Sequence, residues 1–104
     1  MKPAAGLPPD YPPPGMEVRL IESLVPLEGR RILEIGCGDG RLTRQLAPRA
    51  ASVVAIEPDG SRVKVARKMT AADGITNVVF RVGSAEHVHG GRDRFDVALF
   101  SSSL

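Results

Sequence analysis

The sequence predicts an α/β fold, a partial Rossmann-like doubly wound parallel sheet, on three observations. Short apolar runs alternate with helix-like stretches: Ile32, Leu33 and Ile35, then Val53 to Ile56, Val78 to Val82 and Val97 to Phe100. The first run stops at Gly36, and glycines recur at Gly38 and Gly40, so the chain can turn tightly from strand into helix. The second run ends in an acidic residue, Glu57. Strands that alternate with helices pair in parallel through right-handed crossovers.

Each element follows from local pattern. Residues 1–15, MKPAAGLPPDYPPPG, hold six prolines and little that could pack, which favours an extended, flexible arm ahead of one domain over 16–104. A helix is expected over Met16 to Val25, with Met16, Leu20 and Leu24 on one face. Pro26 ends it, because the residue before proline is driven out of the helical region. The first strand covers Arg31 to Ile35, and a short helix containing Leu42 and Leu46 runs to Ala47. The second strand covers Ser52 to Ile56. A helix over Ser61 to Ala72 follows, with Val63, Ala66 and Met69 inward. Strands over Val78 to Val82 and Asp96 to Phe100 complete the set, and no internal repeat is present.

At 104 residues the chain holds one domain at most. Its formal charge is +2, from 14 basic and 12 acidic residues, too weak and too scattered to indicate a nucleic-acid partner. A single cysteine excludes an internal disulfide and suits a reducing cytoplasm. No apolar stretch approaches the roughly 20 residues needed to span a bilayer, and the N-terminus lacks an apolar signal core. The expectation is a cytoplasmic protein without a membrane partner.

The glycine turn and Glu57 together point to an adenosine-containing ligand. Glycine lets a ligand lie against the backbone, and an acid after the second strand is placed to accept from two ribose hydroxyls. A dinucleotide fingerprint needs its third glycine at the position occupied by Arg41; here the pattern is E-x-G-x-G-x-G, starting at Glu34. Pyrophosphate would want an unopposed helix N-terminus, yet Glu34 and Asp39 flank this turn. Acids there favour a ligand carrying positive charge.

The ordered blocks ILEIGCGDG, VVAIEPD, VVFRVGSAE and RFDVALFSSSL resemble the class I S-adenosylmethionine-dependent methyltransferases, in particular their small-molecule branch, over about residues 16 to 104. The resemblance implies S-adenosyl-L-methionine as cofactor and a small-molecule methyl acceptor, with nucleic acid not expected. It implies that Gly36 and Gly38 approach the methionine portion, with Cys37 a passive residue between them, and that Gly40 turns the chain into the helix. Glu34 would lie near the cationic methionine end, Glu57 would bind the ribose, and Pro58 with Asp59 would flank the adenine, although Asp59 could instead cap the next helix. Where many relatives have an aspartate for the adenine amino group, this chain has Ser84, a weaker acceptor; the Ala85 amide would donate to an adenine ring nitrogen. Ser101, just past the last strand, completes the cofactor set.

No catalytic base or metal site emerges. Cys37 has no evident base beside it, and His87 with His89 make a poor metal site, better read as a surface loop. Tyr11 could fold over the ligand from the arm. The chain lacks the Asn/Asp-Pro-Pro-aromatic motif associated with amino-group methylation. The family sheet has seven strands in the order 3-2-1-4-5-7-6, of which strands 1 to 4 are expected here, so methyl transfer by this chain alone is not expected. Alternatives are a non-catalytic cofactor-binding fragment and an NAD(P)-dependent oxidoreductase, the latter disfavoured by Arg41. The strand VALF would expose an unprotected edge, a template for self-association or for a complementary chain.

Overall fold

The computed structural model describes residues 15–87 and 95–101. The proline-rich arm, Tyr11 and His89 lie outside the described residues. Within them the elements run α1 (Met16–Leu24), β1 (Arg31–Ile35), α2 (Arg41–Leu46), β2 (Ser52–Glu57), α3 (Gly60–Ala72), β3 (Val78–Val82), a 3₁₀ turn (Ala85–His87) and β4 (Val97–Phe100). The four strands form one sheet in the order β3-β2-β1-β4, and every pairing is parallel. This is the partial Rossmann-like parallel sheet expected from the alternation of strands and helices.

Register decides which residues share a face. Val78, Val53, Ile32 and Val97 form one cross-strand row, and Phe80, Ala55, Glu34 and Leu99 form another on the same side. Ile32, Val53, Ala55 and Phe80 belong to the main core with Leu42, Leu46, Val63 and Ala66 from α2 and α3. Fully burying a side chain of this kind contributes roughly 1.5–3 kcal/mol relative to exposure, so this side holds the fold together. Val79, Val54, Leu33 and Ala98 make a row on the reverse side, next to Arg81, Ile56, Ile35 and Phe100. There Val79 and Phe100 are exposed. At the start of the β1–β4 pair, the Asp96 carboxylate accepts from the Arg31 amide at 2.9 Å and from its guanidinium at 3.3 Å, which holds the Asp96 carboxyl below the usual carboxylate range.

The helices correct two expectations. In α1 the buried residue is Val18, with Ile21 partly buried beside it, whereas Met16, Leu20 and Leu24 are exposed. The segment carries two apolar stripes, Met16–Leu20–Leu24 and Val18–Ile21–Val25, and packing against α2 selects the second. In α3 the buried set is Val63, Ala66 and Thr70, and Met69 is exposed. Positions i, i+3 and i+7 stay on one face of a helix, whereas i+6 rotates away; geometry overrides the greater hydrophobicity of methionine. Smaller differences fall at the ends: α1 stops at Leu24, β2 extends through Glu57, α3 starts at Gly60 and β4 starts at Val97. Val25 is extended, as a residue before proline must be.

Candidate functional site

The glycine turn between β1 and α2 is pinned to the end of β2. The amides of Gly36 and Cys37 both donate to the Ile56 carbonyl, at 2.8 and 3.2 Å. Gly38 has φ 59, a left-handed conformation in which its amide donates to Glu57 Oε1 at 2.9 Å. The Asp59 amide donates to Glu57 Oε2, also at 2.9 Å. Glu57 is thus clamped between two backbone donors, with one oxygen on each. A carboxylate oxygen has lone pairs to spare after one such bond, so two neighbouring hydroxyls could still donate to it.

Gly40 serves packing. It has φ 83 and precedes α2; a Cβ there would sit 3.1 Å from the Ala66 Cβ and 3.5 Å from its Cα. Close approach of α3 to the turn therefore needs a residue without a side chain. That is the task of the third glycine in a dinucleotide turn, performed here one residue earlier and leaving Arg41 as the first residue of α2.

Glu34 lies inside the fold, at the junction of three elements. Its side chain is wholly buried, with Oε1 accepting from the Thr43 hydroxyl of α2 and Oε2 from the Ser101 hydroxyl at 2.6 Å. Ser101 also lies 3.2 Å from the Gly36 carbonyl. Burial raises the Glu34 carboxyl above its ordinary value, against the lowering effect of the two hydroxyl bonds; the negative Glu17 raises it further, and Arg41 acts the other way. Glu34 therefore braces β1, α2 and the segment after β4 from beneath the turn. It neither faces solvent nor lines the adjoining cleft.

That cleft encloses about 490 Å³ over the turn. Glu17 from α1, Cys37, Gly38, Asp39, Arg41 and Ser101 are among the residues that line it, with Ser61 and Arg62 from α3. Burial pushes the Cys37 thiol up to about 12, with the negative charges of Glu34 and Glu57 adding to the effect, so the thiol stays protonated and unreactive. Asp59 caps α3: its carboxylate accepts from the Ser61 amide at 2.9 Å and the Ser61 hydroxyl at 2.6 Å, and those bonds hold its carboxyl below the usual range. Pro58 and Ala85 are exposed and Ser84 is half-buried, at the ends of β2 and β3. None of these three lines the cleft, nor does Glu57, which meets it through its bond to Gly38. Among the described residues there is no cluster of metal-ligating side chains.

Sequence reasoning missed Thr43 and Glu17. Thr43 had a signal: a polar residue between Leu42 and Leu46 on the inward side of a short helix needs a buried partner. Glu17 had none, since only the packing of α1 onto α2 brings it to Arg41, at 2.5 Å.

Comparison with known proteins agrees with this geometry. The methyltransferase domain family matches residues 32–104. A ubiquinone biosynthesis O-methyltransferase from Azorhizobium caulinodans is 42% identical over 77 residues, covering 74% of this chain and 30% of that protein. Among solved structures, the YcgJ protein of Bacillus subtilis superposes with a TM-score of 0.73 at 25% identity, covering 80% of this chain and 36% of that one. A dimethyladenosine transferase from Plasmodium falciparum gives a TM-score of 0.73 at 28% identity, over 81% of this chain and 30% of that one. The chain belongs to the class I S-adenosylmethionine-dependent methyltransferases. It spans about a third or less of the length of the curated relatives it matches.

Proposed function

We propose that this chain is the cofactor-binding half of a methyltransferase that delivers a methyl group from S-adenosylmethionine to an oxygen of a small molecule. The observation that carries the cofactor reading is the Glu57 carboxylate, held by the amides of Gly38 and Asp59 with lone pairs left for two ribose hydroxyls. Gly36 and Gly38 give the methionine portion a surface without side chains, with Cys37 beside it as an inert spacer. Ser101 bounds the same end, and Pro58, Ser84 and Ala85 take the adenine. Glu34 acts from behind the turn, holding Ser101 and Thr43 in place. The oxygen acceptor is inferred from the O-methyltransferase relatives.

The sulfonium of the bound cofactor supplies an activated methyl group. What the protein contributes is positioning: the amides of Gly38 and Asp59 hold the Glu57 carboxylate in one orientation toward the ribose. We further propose a cytoplasmic location, consistent with a lone free thiol, and an arm over 1–15 preceding the domain over 16–104. Among the described residues β4 pairs on one side only, and that open edge is proposed as the site of self-association or of a complementary chain.

Calorimetric titration of the chain with S-adenosylhomocysteine, with NAD as comparator, tests the reading. Binding of S-adenosylhomocysteine alone supports it. Binding of NAD in preference would replace it with the oxidoreductase alternative.

A further inference from the structure

We propose that the Glu17–Arg41 ion pair is the receptor for the α-amino-acid end of the cofactor, with Arg41 taking the carboxylate and Glu17 the ammonium. This rests on the cofactor reading above and extends it to two residues outside the glycine turn.

Arg41 Nη1 lies 2.5 Å from Glu17 Oε1, and both residues line the cleft beside Gly38 and Ser101. The cleft has a second cation, Arg62, but it belongs to the α3 end, 3.9 Å from the cap residue Asp59. Arg41 therefore stands at the turn end, where the backbone is left bare for the methionine portion. Glu17 and Arg41 also act electrostatically on buried Glu34, in opposite directions.

Charge arithmetic favours insertion of a zwitterion. The Glu17–Arg41 pair is one cation–anion contact; an α-ammonium-carboxylate placed between the partners replaces it with two and leaves the net charge unchanged. The side chains of Arg41 and Glu17 are 41% and 32% exposed, and such partly solvated pairs are weak, so little is lost on opening them. Arginine can then meet the ligand carboxylate with a planar two-donor fork. Glu17 likewise adds to the acidic lining that suits the ammonium and the sulfonium. The competing role is purely mechanical, a tether between α1 and α2.

The discriminating probe is 5′-methylthioadenosine, which keeps the adenosine and the thioether sulfur of S-adenosylhomocysteine but lacks the ammonium and carboxylate. Both ligands are titrated into the parent chain and into Arg41→Gln, Glu17→Gln and Arg41→Lys. The expected result is that the parent prefers S-adenosylhomocysteine and that each glutamine substitution weakens it by about tenfold or more. Methylthioadenosine should change by less than about twofold, and Arg41→Lys should lie between parent and Arg41→Gln because charge survives without the fork. The proposal is overturned if both ligands weaken in the same proportion, if S-adenosylhomocysteine is unaffected, or if Glu17→Gln tightens it. A parent that binds methylthioadenosine as tightly as S-adenosylhomocysteine removes this inference alone. A parent that binds neither removes the cofactor reading itself.

Discussion

At the end of β2 the Glu57 carboxylate is held by two backbone amides, those of Gly38 and Asp59. At the end of β1 the Glu34 carboxylate is held by two hydroxyls, those of Thr43 and Ser101. Both acids are buried, and they sit on neighbouring strands of one sheet. Amide donors are set by the fold and cannot accept, so each Glu57 oxygen is held by one fixed bond and keeps a lone pair over. Hydroxyls rotate and can accept as well as donate, so the Glu34 site tolerates either protonation state. Glu57 retains 9% of its surface and Glu34 none. The first joins the glycine turn to the start of α3, and the second joins β1 to α2 and to the segment after β4.

The harshest way to break this contrast is Gly38→Val, which attacks the amide that joins the turn to Glu57. A β-branched residue is strained at φ 59 and would place its side chain against the ligand surface. No binding of S-adenosylhomocysteine should be detectable by calorimetry; near-parental affinity would show that the left-handed turn is dispensable. Next in size is Glu57→Ala. It removes two charge-assisted bonds worth about 1.5–3 kcal/mol each, so affinity should fall by well over tenfold. An unchanged dissociation constant would remove Glu57 from the ribose site.

Glu34→Gln sharpens the other half of the comparison through pH. The folded-state value of Glu34 is raised from an ordinary 4.5, so between the two values the folded chain binds more protons than the unfolded chain. Stability should therefore be fully present below about 4.5 and decline as pH rises through the folded-state value. Urea unfolding midpoints should show that decline in the parent and a flatter profile in Glu34→Gln, whose amide Thr43 and Ser101 can satisfy by rotating one hydroxyl. Identical profiles would mean that the buried carboxyl does not govern this pH dependence. The smallest effect is expected for Cys37→Ala, less than about twofold in affinity, because a thiol pushed up to about 12 makes no thiolate near neutral pH. Thiol-reagent labelling of the parent should accordingly be slow, and rapid labelling at pH 7 would contradict the burial argument.

Strands were the most legible part of the sequence. Apolar runs bounded by glycine and polar residues placed β1 and β3 at their observed limits, Arg31–Ile35 and Val78–Val82. The two helix faces were misread for different reasons. In α3 the apolar Met69 was favoured over Thr70, although rotation about the helix axis buries the latter. In α1 two apolar stripes compete within one short segment, and nothing in its own sequence ranks them.

The candidate site divides along the same line. The spacing from Glu34 through Gly40 to Glu57 was readable because tight turns and ribose recognition demand particular residue types at the ends of consecutive strands. What each acid touches was not readable. Thr43 and Ser101 reach Glu34 across sequence separations of 9 and 67 residues, and Glu17 meets Arg41 only because α1 lies against α2. The sequence by itself determined the alternation of strands and helices and the turn, through local periodicity and glycine's freedom at positive φ, while the strand order and the family came from the resemblance of its four ordered blocks. Only the tertiary structure decided which acid stays accessible and which is sealed, because that depends on donors brought together by packing between elements distant along the chain.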